Sequence, residues 1–259
     1  MQSAADLFDL SGRTALVTGG SRGLGLQFAE ILSRQGARVL ISSRKSDSLQ
    51  QAQQDLAGRG IDVEWVAADA SKEEDAERLA HESVERLGSV DILVNNAGAT
   101  WGAPAEEHPL KAWNKVMTTN VTATFHLTQL IGSLSMLPRG TGRVINLASI
   151  AGMKANGATS TKTLAYNTSK AAVIHFTRSL AAEWAGRGVN VNAIAPGFFP
   201  SDMTKGTLQA HGDAITARVP QGRIGAADDL VGPLLLLASD AGAHVTGQVL
   251  AVDGGATTW

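Results

Sequence analysis

Tyr166 is the only tyrosine in this chain of 259 residues, and Lys170 follows it in the stretch YNTSK. Residues at i and i+4 share one face of a helix, so the phenol and the ammonium would point into the same space. A free phenol ionises near pH ~10, too high for ready proton exchange at neutrality. An ammonium about 4 Å away, at an effective dielectric of ~20, favours phenolate by roughly 4 kcal/mol before burial opposes it, or up to about three pKa units. The spacing therefore predicts a lowered phenol poised for proton transfer, while a packed ring beside a solvated lysine is the alternative for the pair alone.

A second group of residues suits phosphate. The stretch TGGSRGLG, Thr18 to Gly25, runs straight from a strand pattern into a helix pattern. Glycines there allow a tight turn and close backbone approach to a pyrophosphate, while the helix N-terminus offers free N–H groups and a positive dipole. The second strand pattern ends ISSRK with no carboxylate: Ser43 stands where an acidic residue would hold a ribose 2′-hydroxyl, and Arg44 follows. Arg22, inside the glycine turn, can approach the same place. Two charge-assisted contacts of ~1.5 to 3 kcal/mol each would favour a 2′-phosphate by on the order of a hundredfold or more. Ordinary solvated surface charge is the alternative for both arginines.

These residues need elements to carry them. Short apolar runs, at 14–18, 38–43, 62–68, 90–96, 142–149, 189–195 and 248–253, alternate with helical patterns. Such alternation means parallel strands joined by helical crossovers, and strands apolar throughout mean that both sheet faces are covered. The expected fold is therefore α/β, a single Rossmann-like domain over residues 1–259 with a doubly wound, parallel, seven-stranded sheet. Leu24, Phe28, Ile31 and Leu32 recur at helical spacing before Gly36, and Ser71 to Glu74 has the form of a capping box. The weakly patterned stretch from Pro196 to Gly225 reads as a lid, at about 197–225.

The order TGxxxGxG, NNAG (Asn95 to Gly98), Ser149 after strand five, YNTSK, and Pro196-Gly197 after strand six resembles the short-chain dehydrogenase/reductase family over nearly the whole chain. The stretches NNAGATWGA, APGFFPSDMT and VPQGRIG look most like reductases of 3-oxoacyl groups. The resemblance implies a catalytic set of Asn120, Ser149, Tyr166 and Lys170: Tyr166 exchanges the proton, Ser149 orients the carbonyl oxygen, Lys170 also holds the nicotinamide ribose, and Asn120 links Lys170 to solvent through a water. It implies NADP(H) as cofactor, held by Gly19, Ser21, Arg22, Gly23, Leu24, Gly25, Ser43, Arg44, Asp69, Ala70, Asn96, Ala97, Gly98, Tyr166, Lys170, Pro196, Gly197, Phe199 and Ser201. Asp69 would meet the adenine amino group, with capping of the next helix as a rival role. The backbone of Phe199 and the hydroxyl of Ser201 would meet the carboxamide. Trp101, Met153, Phe198 and Met203 are candidates to line an apolar substrate pocket. Ser149 precedes Tyr166 by 166 − 149 = 17 positions, a few more than the family usually has, so the polar stretch MKANGATSTKT is expected to reshape the pocket mouth.

Composition narrows the class. Lys and Arg number 22 against 24 Asp and Glu, with no long like-charge run, which argues against a nucleic-acid or membrane-surface protein. The absence of cysteine excludes disulfides and thiolate metal sites, and the histidines show no metal-ligand spacing, so no metal is expected. Asp6 and Asp9 stand where a signal peptide needs basic and apolar residues, and the cytoplasm is the expected compartment. By analogy with the family, the apolar helices near 121–137 and 165–185 would pair across a dimer interface, and the chain end would complete a homotetramer. The expectation is an NADPH-dependent reductase of a small-molecule carbonyl. A sugar or polyol dehydrogenase is the rival enzyme, and a cofactor-binding sensor without turnover is the rival class. Serine hydrolysis fits less well, since no glycine of a nucleophile elbow precedes Ser149 in ASIAG.

Overall fold

Apolar residues that alternate between two buried faces demand a covered sheet, and all seven expected runs become its strands. In the computed structural model, which describes residues 1–155, 157 and 161–258, these are β1 (Thr14–Thr18), β2 (Arg38–Ser43), β3 (Val63–Ala67), β4 (Ile92–Asn95), β5 (Gly142–Leu147), β6 (Val189–Pro196) and β7 (Val249–Val252). The principal helices are α1 (Ala4–Phe8), α2 (Gly23–Arg34), α3 (Ser46–Ala57), α4 (Glu73–Leu87), α5 (Leu110–Met117), α6 (Ala123–Ile131), α7 (Leu137–Arg139), α8 (Leu164–Trp184), α9 (Lys205–Thr216) and α10 (Val231–Ala238). The sheet is parallel throughout, in the order β3-β2-β1-β4-β5-β6-β7. The order reverses between β1 and β4, so a crevice opens beyond their carboxyl ends, where ligands of such sheets bind.

Strand alternation divides the core in two. Val17, Ile41, Val94 and Ile145 face Phe28, Leu32, Leu49, Leu234 and Leu237 on one side. Leu16, Leu40, Leu93 and Val144 face Leu79, Leu127, Ile131 and Trp184 on the other. The stretch VGPLLLLA, residues 231–238, is the core helix α10, and no helix among the described residues is long and apolar enough to cross a membrane.

One local expectation fails and another is refined. Ser71 does not cap α4, which starts at Glu73 after Lys72 with no side-chain cap. The Ser71 hydroxyl instead donates to Asp69 Oδ1 at 2.6 Å, an acceptor only two residues away that outcompetes the helix amides. The helix near 121–137 is also irregular. Two π-turns, Thr118–Thr122 and Gly132–Met136, interrupt the rod that runs from α5 to α7. The second lies under Trp184, so close that a Cβ at Gly132 would sit 2.3 Å from the indole. The stretch from Pro196 to Gly225 is more ordered than its pattern suggests, since it contains α9, kinked at His211.

Candidate active site

The glycine turn is shaped by two different constraints. Gly19 and Gly23 take left-handed backbone, φ 64° and 55°, which a side chain resists. Gly25 is helical but has no room: a Cβ there would lie 2.3 Å from the Gly19 carbonyl oxygen and 2.4 Å from Asn96 Nδ2. Ser21 and Arg22 form the outer part of the turn, and Leu24 packs against the core. No side chain caps α2, so its first amides and its positive end face the crevice. Asn96, Ala97 and Gly98 form the opposite wall. The Thr18 hydroxyl accepts the N–H groups of Asn96 and Ala97, both at 3.0 Å. In return Asn96 Nδ2 donates to the carbonyls of Thr18 and Gly19 at 2.9 and 3.2 Å.

At the end of β2, Ser43 Oγ is buried without a hydrogen-bond partner, and Arg44 stands exposed beside it. An orphaned hydroxyl flanked by a guanidinium, with no carboxylate at the strand end, fits a phosphorylated ribose. Arg22 is engaged: its Nη1 lies 3.0 Å from Asp202 Oδ2. The Asp69 carboxylate accepts both the N–H and the hydroxyl of Ser71, and Asp75 accepts the Asp69 N–H at 3.0 Å. Asp69 and the half-buried Ala70 therefore shape the entry to α4. The glycine cradle and the orphaned Ser43 hydroxyl both fit a dinucleotide.

The four residues expected to be catalytic converge from three elements. Ser149, in extended backbone after β5, caps a short 3-10 turn, and its hydroxyl accepts the Ala151 N–H at 3.1 Å. The Tyr166 side chain, in the first turn of α8, lies near enough to that hydroxyl for the hydroxyl to lower its pKa. The long connection does not separate them, because the Ser149 turn rests on α8: a Cβ at Gly152 would lie 2.5 Å from the Lys170 carbonyl carbon. Residues 156 and 158–160 of the connection, on which the reshaped pocket mouth partly rests, lie outside the described residues. Lys170, 5% exposed, donates its Nζ to the Leu147 carbonyl at 2.5 Å. Its Nζ also lies 5.6 Å from the centroid of the Tyr166 ring.

The lowered phenol expected from the spacing is not what the fold produces. Burial raises the Tyr166 pKa, offset in part by the Ser149 hydroxyl, and burial pulls Lys170 down to about 8. The i, i+4 spacing sets the ammonium over the ring face, and the dry surroundings penalise both charged forms. In the protein by itself, desolvation outweighs attraction.

Asn120 belongs to the first π-turn and is 1% exposed. Its Oδ1 accepts the Ala99 N–H at 2.7 Å, and its Nδ2 donates to the Ala99 carbonyl and to Ser169 Oγ at 2.9 and 2.8 Å. Ser169 in turn donates to the Tyr166 carbonyl at 2.7 Å. Asn120 is thus tied to the first turn of α8 through Ser169, and to Gly98, whose Cβ would lie 3.4 Å from its Oδ1 and 3.8 Å from Lys170 Nζ. Thr18 and Ser169 carry no motif signal beyond their places beside Gly19 and Lys170, and only the fold shows what they brace.

At the end of β6, Pro196 pairs with Val252, and just beyond it the Gly197 N–H donates to the Val252 carbonyl at 2.9 Å. Phe199 is buried in the core, and its carbonyl accepts the Thr204 hydroxyl at 2.5 Å. Ser201 is half-buried, its hydroxyl 2.9 Å from that of Thr204. Trp101, Met153 and Met203 are 47%, 44% and 45% exposed, so none is simply a core residue. Phe198 lines a cavity of about 340 Å³ with Val219, Arg223, Gly225 and Asp253, and no member of the catalytic set borders that cavity. Among the described residues, one trio has ligand atoms near enough to share a cation: Glu73 and Glu77 of α4 and His126 of α6 lie within 4.8 Å of one another, outside the catalytic set.

Comparison with known proteins agrees with this geometry. Residues 13–212 match the family described as short chain dehydrogenase. The chain is 43% identical to the rhamnolipids biosynthesis 3-oxoacyl-[acyl-carrier-protein] reductase of Pseudomonas aeruginosa, over 96% of this chain and 97% of that one. It is 39% identical to the gluconate 5-dehydrogenase of Gluconobacter oxydans, over 98% of each. Among solved structures, a putative NAD(P)-dependent gluconate 5-dehydrogenase from Beutenbergia cavernae with bound NADP superposes with a TM-score of 0.91 at 42% identity, covering 98% of this chain and 100% of that one. The chain belongs to the short-chain dehydrogenase/reductase family of oxidoreductases.

Proposed function

We propose that this protein reduces a ketone to a secondary alcohol with NADPH, and that its substrate is a 3-oxoacyl (β-ketoacyl) group or a related carbonyl compound. The observation that carries the reading is a phenol held in its protonated form by burial, beside the Ser149 hydroxyl, with Lys170 Nζ 5.6 Å from its ring centroid one helical turn on. A protonated acid beside an orienting hydroxyl suits reduction. The glycine turn, Ser43, Arg44 and Asp69 would hold the dinucleotide, with Lys170 at its nicotinamide ribose. NADPH, when bound, supplies the hydride to the carbonyl carbon. Ser149 donates a hydrogen bond to the carbonyl oxygen and orients it. Tyr166 transfers its hydroxyl proton to that oxygen as the C–H bond forms, which leaves a phenolate that the Lys170 ammonium stabilises. Asn120, braced by Ala99 and Ser169, keeps Lys170 open to proton resupply from solvent.

Support for NADPH comes from Ser43 and Arg44, and from the NADP in the Beutenbergia structure. The Pseudomonas relative supports the 3-oxoacyl class. A second reading, oxidation of a sugar acid with NADP⁺, draws on the likeness to gluconate 5-dehydrogenase. Residues 197–225 act as the substrate lid in either case. A homotetramer completes the proposal: Phe125 and Leu134 are 47% and 37% exposed, and β7 ends the sheet. The cytoplasm is the compartment where such an enzyme would meet its cofactor. The test follows NADPH absorbance with a 3-oxoacyl thioester, a free β-ketoester, a diketone and a ketose, and with gluconate plus NADP⁺. Turnover of the thioester above the others supports the acyl reductase; turnover confined to the sugars replaces it with the second reading.

A further inference from the structure

The ion pair between Arg22 and Asp202 joins the two sides of the cofactor crevice. Arg22 sits in extended backbone immediately before α2, on the glycine turn. Asp202 comes from the stretch after β6, beside Ser201, whose Cβ would stand 3.8 Å from a Cβ on Gly23. Both side chains are largely exposed, 73% and 66%, and an isolated pair of that kind contributes little to stability. The backbone that carries Asp202 is nevertheless braced. The Ser201 N–H donates to Thr204 Oγ1 at 3.0 Å, the Thr204 N–H donates to Ser201 Oγ at 3.3 Å, and the Thr204 hydroxyl reaches the Phe199 carbonyl. The carboxylate is therefore held near the guanidinium by its own turn.

This matters because Arg22 is also expected to approach the adenosine 2′-phosphate. Arg44, the other guanidinium expected there, makes no ion pair among the described residues. A phosphate brings close to two negative charges, and a carboxylate on the same guanidinium both occupies one of its N–H donors and repels the incoming anion. We propose that Asp202 competes with the cofactor's 2′-phosphate for Arg22, and so sets how strongly the protein prefers the phosphorylated dinucleotide over its unphosphorylated counterpart. The inference rests on the NADPH reading above. Asp202 lowers the affinity for the phosphorylated form and leaves the other form almost untouched, because a dinucleotide without the phosphate makes no demand on Arg22.

The test is a binding titration that involves no turnover: the fluorescence of NADPH and of NADH is followed on addition of wild-type protein, Asp202→Asn, Arg22→Ala, the double variant and Arg44→Ala. Asp202→Asn is expected to tighten NADPH by about fivefold, the scale of one exposed ion pair, and to leave NADH unchanged. In the Arg22→Ala background the same substitution is expected to leave NADH unchanged and to tighten NADPH by less, since only the direct repulsion remains. Raising the salt concentration should shrink the difference between wild type and Asp202→Asn for NADPH. Weaker NADPH binding in Asp202→Asn, or an equal change for both dinucleotides, would overturn the competition. If neither Arg22→Ala nor Arg44→Ala discriminates between NADPH and NADH, the cofactor reading itself fails, and that result is distinct from a failure of Asp202 alone.

Discussion

The two walls of the crevice are built on different principles. On the side expected to hold the cofactor, position is enforced against backbone: Gly25 on Gly19, with no space for even one added carbon, and the Asn96 side chain on the Thr18 and Gly19 carbonyls. On the side expected to meet substrate, Trp101, Met153 and Met203 stand nearly half exposed on connecting segments. The first wall is a constraint on geometry, shared by anything that binds a dinucleotide; the second is adjustable surface. A chain built in this way keeps its cofactor while its substrate changes, and likeness both to a 3-oxoacyl reductase and to a gluconate dehydrogenase is the expected result.

The sharpest way to break this contrast acts where the walls meet. Tyr166→Phe keeps the ring and removes the proton donor, so turnover should fall by at least about a hundredfold while NADPH still binds in a fluorescence titration. Retained turnover would remove Tyr166 from the chemistry. On the cofactor wall, Gly25→Ala forces a Cβ against the Gly19 carbonyl. It should cost about 1 to 3 kcal/mol in urea-induced unfolding and weaken NADPH binding with it; a variant as stable as wild type would mean that the turn yields more easily than the contact distances suggest.

Lys170 tests the cost of placing a charge between the walls. Its folded pKa, about 8, lies below the value of 10.5 for an unperturbed lysine. The unfolded chain therefore holds that proton more tightly. Stability should carry the full penalty below pH 8 and rise as pH climbs from about 8 to 10.5. Lys170→Met has no proton to lose, so at pH 7 it should be more stable than wild type by about 2 kcal/mol though inactive. The gap should close toward pH 10.5, and a gap that is constant with pH would refute the buried-ammonium account. The smallest effect belongs to the adjustable wall: Trp101→Ala should leave stability within about 0.5 kcal/mol and raise KM a few-fold. An unchanged KM for every substrate would take Trp101 out of the pocket.

What could be read from the residues follows the same division. Each of the seven strands announces itself as a short apolar run, and the glycine turn as a local motif, because both are set by neighbours in the chain. The failures depend on partners that no motif announces. The π-turn at Gly132–Met136 lies against Trp184, some fifty residues away. The direction of the Tyr166 shift depends on burial, which spacing alone does not reveal. Ser71 has the form of a capping residue, yet Asp69 takes its hydroxyl. The bond between Arg22 and Asp202 joins two stretches that no motif connects.

The first π-turn also has a consequence for how this rod can be altered. A π-turn holds one residue more than the α-helical turn it replaces, so Thr118–Thr122 takes up one extra residue between two lengths of helix. Deleting one residue there would close the wide turn to a regular α-helical one and leave α5 and α6 on nearly their present faces. Asn120 would then lose the wide turn that places it against Ala99 and Ser169, while the α6 core residues kept their places. The rod is one ruler with a spare mark at Asn120: the marks on either side are counted from the sheet, and the spare one from the mouth of the site.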